Sequence, residues 1–229
     1  MISKAEYPRY KEWLKKTMEF EDFSEEQFDY LTEQMQAKNF SKGQILFDQG
    51  DSRERFYYVV SGLVRTERLD ETGDFGFLSY IKEKKGFPYR GLFSDDEYAY
   101  SAEALTNIEI VSFPMDKFEQ ALKQNQVATI RVIQVMGQII NNNEDQLQRM
   151  LVSSATKRVE QALEIFSEKL GQKQGDGEVY VPYPITLIEL ARVSGTTRET
   201  ASRTVRKLVS DGVISYQHKN FTFSRESFV

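Results

Sequence analysis

Arg198, Glu199, Ser202 and Arg203 lie within six consecutive residues. They supply the hydrogen-bonding groups that read base edges. Arginine can bind guanine O6 and N7 together, glutamate can accept from cytosine N4, and serine is permissive. On a helix, Ala201, Val205 and Leu208 would share one side, and Glu199, Ser202, Arg203 and Arg206 the other, with Arg198 at the flank of the first turn. Arg192, Arg206 and Lys207, with the hydroxyls of Thr186 and Thr197, suit phosphate oxygens instead. A competing reading pairs Glu199 with Arg203 as an i, i+4 ion pair on a solvated face, or uses Glu199 only as a helix cap.

Charge distribution favours the nucleic-acid reading. The 229 residues carry 30 Lys and Arg against 35 Asp and Glu, a net charge of −5 that by itself argues against a polyanionic partner. Residues 186–225 hold seven cations (Arg192, Arg198, Arg203, Arg206, Lys207, Lys219 and Arg225) and only three anions, Glu189, Glu199 and Asp211. A small local patch of this kind fits a compact groove-binding module.

Other chemistries lack their residues. The chain has no cysteine, which excludes disulfides, Cys-ligated iron–sulfur clusters and zinc ribbons, and its single histidine is His218. Haem with histidine ligation, a multi-His metal site and a Ser–His–Asp triad are therefore not expected. A cupin-like enzyme would need a metal triad that one histidine outside the β-rich region cannot supply. No apolar run approaches a membrane span, and the opening Met1–Tyr7 is not a secretory signal, so a cytoplasmic protein without a membrane partner is expected.

The elements that must position the reading face are legible nearby. Thr186 and Glu189 predict a capping box opening a short helix that Gly195 stops. Thr196 and Glu199 predict a second box, opening a helix over 197–210 that Asp211-Gly212 closes. Two helices joined by a short Gly-containing turn form a helix-turn-helix. The segments Val213–Tyr216 and Phe221–Phe223, turning at Lys219-Asn220, add a hairpin, the wing of a winged helix. Upstream, Val159, Leu163, Phe166 and Leu170 share a face of a helix from Ser154 to Leu170, and the run 171–177 reads as a flexible loop before the strand Val179–Val181.

The first half of the chain reads differently. Residues 1–37 suggest short amphipathic helices, one opened by a Ser24–Gln27 capping box. Short β-rich segments at Ile45–Phe47, Phe56–Val60, Leu63–Leu69, Phe75–Ile81 and Ile108–Phe113 alternate with glycine turns, predicting an antiparallel roll that Pro114 ends. A helical stretch begins at Met115. Thr129, Ile133, Met136, Ile140, Asn143, Leu147 and Met150 then follow a strict heptad spacing, with a second stripe of Ala128, Val132, Val135 and Ile139 beside it. One stripe can pack on the roll and the other on a partner helix, which predicts a homodimer through Ile133, Met136, Ile140, Asn143, Leu147 and Met150. A helix packed wholly within one chain is the alternative.

The run Gly195-Thr196-Thr197-Arg198-Glu199-Thr200-Ala201-Ser202-Arg203 resembles the recognition helix of the CRP/FNR family of bacterial transcription regulators. Gly43-x-Ile45, Gly50 and Tyr57–Gly62 are similar to that family's cyclic-nucleotide-binding roll, and the seam helix occupies the place of its dimerisation helix. The resemblance implies an α+β chain with three parts: a β-roll sensor domain with N-terminal helices over 1–125, a dimerisation helix over 126–152, and a winged helix-turn-helix over 153–229. It implies a homodimer on a pseudo-palindromic double-stranded operator with TGA-containing half-sites, and RNA polymerase as a partner if the protein activates. Arg198, Glu199 and Arg203 match the base readers of the family's cyclic-AMP branch, and Glu199, Ser202 and Arg203 those of its oxygen-sensing branch. Cyclic-nucleotide binders carry a glutamate for the ribose and an arginine for the phosphate; here Tyr89 and Tyr100 stand at those places, with Arg90 adjacent. A buried phosphate without its cation is costly, so cyclic AMP is not expected as a cofactor. With the cyclic-AMP and iron–sulfur branches set aside, the chain resembles the cysteine-free Gram-positive branch, which includes regulators of arginine-deiminase operons. A further possibility is an aromatic-lined effector pocket of Tyr89, Arg90, Tyr98, Tyr100 and Ser101 that binds an unidentified small molecule to control DNA binding.

Overall fold

The computed structural model describes residues 2–73, 76–175 and 177–224. Phe75, Asp176 and Arg225, placed by the sequence in a strand, a loop and the basic patch, lie outside them. The described residues fall into two compact units, 1–139 and 140–229. No helix among them is long and apolar enough to cross a membrane.

The first unit opens with α1 (Tyr7–Lys15) and α2 (Glu25–Thr32). The Ser24 capping box forms as expected: Ser24 Oγ accepts from the Gln27 amide at 3.2 Å, and Gln27 Oε1 accepts from the Ser24 amide at 3.1 Å. Eight strands follow: β1 (Gln36–Phe40), β2 (Ile45–Phe47), β3 (Arg55–Ser61), β4 (Leu63–Leu69), β5 (Gly76–Lys82), β6 (Gly86–Phe87), β7 (Ser101–Ala104) and β8 (Ile108–Pro114). They make two antiparallel four-stranded sheets, ordered β1-β8-β3-β6 and β2-β7-β4-β5. The close β3–β4 turn depends on Gly62, at φ +86°, because a Cβ there would sit 2.5 Å from the Asn107 carbonyl oxygen.

Period-2 alternation gives β3 a buried residue on both sides. Phe56 and Tyr58 face a cluster built with Leu14, Phe20, Phe28, Phe113 and Phe118, whereas Tyr57 and Val59 face a second cluster with Phe47, Phe87, Tyr98 and Ile110. Each fully buried aromatic contributes about 1.5–3 kcal/mol of transfer free energy, so this one strand joins both halves of the core. After α3 (Met115–Lys123) comes the long α4 (Gln126–Met150).

On α4 the two stripes separate as different environments. Ala128 and Val132 are buried in the first cluster, and Val135 packs against it. Ile133, Ile140 and Leu147 are 61%, 54% and 53% exposed. The seam is less regular than its spacing. Met136 packs on the same cluster as Val135, and Thr129 Oγ donates to the Leu122 carbonyl at 2.6 Å. Asn143 and Met150 are half-buried, while Val127, Ile130 and Leu151, outside the heptad, are exposed.

The second unit continues with α5 (Ala155–Leu170), β9 (Gln172–Lys173), β10 (Val179–Tyr180), α6 (Leu187–Val193), α7 (Arg198–Ser210), β11 (Ile214–Gln217) and β12 (Asn220–Phe223). The run 171–177 is not a loop throughout. Gln172 and Lys173 pair with Tyr180 and Val179, so the glycines close a hairpin, and the sheet runs β11-β12-β10-β9.

Candidate nucleic-acid interface

The helix-turn-helix is built on short-range hydrogen bonds. Thr186 Oγ1 accepts from the Glu189 amide at 3.1 Å and starts α6. Gly195 reverses the chain at φ +55°, and the Thr196 amide donates back to Ala191 O at 2.9 Å. The cap of α7 falls one residue later than the expected Thr196. Thr197 Oγ1 accepts from the Thr200 amide at 3.2 Å, while the Thr196 hydroxyl meets Ser194 Oγ at 2.9 Å. Two adjacent threonines offer the same cap, and the Ser194 contact decides between them.

The face of α7 sorts as its period requires. Ala201, Thr204 and Val205 are buried; Leu208, expected in the same stripe, is half-buried. Thr204 was not expected inside. Its hydroxyl is satisfied by the Thr200 carbonyl at 3.0 Å, which makes burial affordable. On the outer side Arg198, Glu199, Arg203, Arg206 and Lys207 are exposed and Ser202 is half-exposed. Glu199 and Arg203 form no ion pair with each other, and Arg203 makes no other hydrogen bond among the described residues. The Glu199 carboxyl lies below the usual carboxylate range, first because it accepts from its own backbone N–H at the helix start, then because it accepts from Thr197, with the positive charge of the adjacent Arg198 adding to both. It therefore remains an ionised acceptor. Arg206 Nε reaches back to Ser202 O at 3.4 Å. Arg192 is exposed on α6.

The wing packs against α7 through β11. The β11–β12 tip turns through His218 and Lys219 at φ 51° and 69°, and both side chains are exposed. Tyr216 stacks on Phe221 with ring centroids 4.4 Å apart and donates to Ile185 O at 3.0 Å. Asn220 Nδ2 donates to Val181 O at 2.9 Å. The module thus presents one apolar-backed helix whose free surface carries guanidinium, carboxylate and hydroxyl groups, flanked by cations. That is the chemistry of groove reading.

The aromatic roll residues proposed as an effector pocket divide between the two apolar clusters. Tyr89 packs edge-on against Phe56, at 5.3 Å, in the helix-facing cluster, and its hydroxyl is buried with no hydrogen-bond partner. Burial holds that hydroxyl well above the ordinary tyrosine pKa. Tyr98 belongs to the other cluster, stacked on Phe47 at 3.7 Å, and donates to Arg55 O at 2.9 Å. Tyr100 packs beside that cluster, its hydroxyl pushed up by burial and partly offset by the charge of Arg90. Arg90 itself is exposed, and Ser101 Oγ accepts from the Gln49 amide at 2.9 Å. Strand alternation and the turn at 90–94 assign Tyr89 and Tyr98 to different clusters, while Tyr100 stays within electrostatic reach of Tyr89, Tyr98 and Arg90. Among the described residues, no group of three His, Asp or Glu side chains is arranged to hold a metal ion.

Fold and interface together define a two-domain DNA-binding regulator, a sensor-type roll followed by a helix-turn-helix. Comparison with known proteins agrees. The cyclic nucleotide-binding domain matches residues 37–125, and the Crp-like helix-turn-helix domain matches residues 157–225. The chain belongs to the CRP/FNR family of transcription regulators. It is 23% identical over 194 residues to a CRP-like cAMP-activated global transcriptional regulator of Mycobacterium tuberculosis, covering 85% of this chain and 86% of that one. It is 23% identical over 191 residues to the HTH-type transcriptional regulator ArcR of Staphylococcus epidermidis, covering 83% and 82%. Among solved structures, FixK2 from Bradyrhizobium japonicum shares the fold, with a TM-score of 0.71 at 19% identity over 84% of this chain and 94% of that one.

Proposed function

We propose that this regulator acts as a homodimer on a pseudo-palindromic operator in the cytoplasm, with α7 of each protomer in successive major grooves. One observation carries the reading: Arg203 and Glu199 stand exposed and unpaired with each other on the face of α7 opposite buried Ala201 and Val205. Arg203 then reads a guanine and Glu199 the cytosine N4 of the opposite strand in a TGA-like half-site, with Arg198 and Ser202 beside them. Thr186, Arg192, Thr197, Arg206 and Lys207 hold phosphates. The exposed Ile133, Ile140 and Leu147 supply the dimer contact, which burying three aliphatic side chains favours. An activator would in addition contact RNA polymerase. The branch is that of the cysteine-free regulators similar to ArcR.

The sensor input is not cyclic AMP. The Mycobacterium tuberculosis relative is cAMP-activated, but here the ribose and phosphate partners are Tyr89, turned into an apolar cluster, and Tyr100. Neither supplies a cation for a buried phosphate. Selection of bound sequences from random duplexes, with and without millimolar cyclic AMP, tests both statements. A TGA-containing palindrome is expected in each case, with no rise in melting temperature on adding the nucleotide. A saturable rise would overturn the cyclic-AMP statement, and a selected motif lacking two-fold symmetry would overturn the dimeric one.

A further inference from the structure

One side chain ties the turn between α6 and α7 to the exit of α4. Arg158, in the first turn of α5, donates from Nε to Ser194 O at 3.0 Å and from Nη2 to Gly195 O at 3.2 Å. From Nη1 it donates to Val152 O at 2.9 Å and to Ser153 O at 3.0 Å. An arginine has five N–H donors in a rigid plane, and four of these are committed to backbone carbonyls. The two carbonyl pairs belong to separate elements. Ser194 caps the carboxyl end of α6, with Gly195 next in the turn; Val152 and Ser153 follow the end of α4 at Met150. Ser194 O is the cap carbonyl at the negative end of the α6 dipole, while Val152 O and Ser153 O lie in the link between α4 and the Ser154 cap of α5; a single cation satisfies both pairs. The fork geometry makes the contact directional as well as attractive, which an ammonium would not.

The location gives the contact a consequence for DNA reading. Only Thr196 and the cap Thr197 separate Gly195 from Arg198, so the direction in which the chain leaves Gly195 sets the direction of α7. Thr196 is itself held from both sides, by Ala191 O and by Ser194 Oγ, leaving little slack between the bolt and the helix. We infer that Arg158 is a positioning residue of the operator-reading surface, fixing the angle of α7 to the carboxyl-terminal part of α4. Through the paired α4 helices it sets the rotation between the two recognition helices, and so the spacer length the dimer accepts. The inference rests on the dimeric base-reading function proposed above.

Spacer dependence tests it, because a purely structural role would lower all binding without changing its profile. Full-length wild type, Arg158→Lys and Arg158→Met are compared on duplexes with identical half-sites and central spacers changed by one base pair at a time. Each added base pair rotates one half-site by about 34–36° relative to the other. The wild type should favour one spacer over its neighbours by about tenfold, the discrimination being limited by how readily DNA twists. Both variants should flatten that ratio to about threefold or less, with half-site base preference and salt slope unchanged. Variants that keep the wild-type spacer profile overturn the inference. Should Arg158→Met fail to fold, Arg158→Lys decides alone; failure of both to fold makes Arg158 a stability residue and overturns the positioning role. A wild type with no spacer preference would instead overturn the dimeric reading on which the inference rests.

Discussion

Removing the Arg203 side chain separates base reading from charge attraction. The residue is exposed on α7 and has no hydrogen-bond or ion-pair partner among the described residues, so Arg203→Ala leaves nothing buried or unsatisfied behind. Folding stability should move by less than about 0.5 kcal/mol, the usual range for a surface substitution away from caps and networks. Binding is a different matter. A bidentate arginine–guanine contact discriminates by about 1–3 kcal/mol, and a two-fold dimer loses two of them on a palindrome, about 2–6 kcal/mol in all. At about 1.4 kcal/mol per decade, operator affinity should fall between about thirtyfold and about twenty-thousandfold, while affinity for unrelated duplex barely changes. Arg206→Ala is the control. A phosphate contact should weaken every sequence alike and flatten the salt slope by about one unit. Fluorescence anisotropy on the operator, the operator with its half-site guanines replaced, and a scrambled duplex, each over a salt series, provides the measurements. If Arg203→Ala weakened operator and scrambled DNA equally, the base-reading assignment would be wrong. If it weakened neither, the face of α7 would not be the interface.

Two further substitutions probe the other parts of the chain. Ile140→Glu places a carboxylate on an exposed aliphatic strip that dimerisation would bury, so sedimentation should show monomers; an unchanged dimer would move the interface elsewhere. Tyr89→Phe deletes a buried hydroxyl with no partner and keeps the ring against Phe56, so stability should rise by about 1–2 kcal/mol, or roughly 2–8 °C in melting temperature. A fall of similar size would show that the hydroxyl is bonded, and an ordered water between it and the nearby Glu19–Tyr58 pair would be the first place to look.

What was legible in the sequence is what depends on local periodicity and short-range capping. The apolar stripe of α7 and its charged opposite face follow from 3.6 residues per turn, the wing from alternating strands around a tight turn, and the Ser24 and Thr186 caps from a hydroxyl three residues ahead of an open amide. Other features needed contacts between residues far apart in the chain. β1 reads Gln-Ala-Lys-Asn-Phe, which no propensity marks as a strand; it is one because β8 offers it a complete antiparallel ladder from Gln36–Ser112 to Phe40–Ile108. The heptad on α4 has one regular spacing but two environments, since the roll covers Met136 and leaves Ile133 bare. Tyr89 and Tyr98 look like one aromatic lining until the turn at 90–94 and the pleat assign them to separate clusters. Arg158 is the extreme case. Its partners are main-chain carbonyls up to 37 residues away, and a carbonyl carries no residue type for sequence to display. Side-chain pattern determined which surfaces are apolar and which are charged; only the folded backbone decided which carbonyls a cation could reach, because hydrogen bonds to the main chain depend on where the chain runs and not on what it is made of.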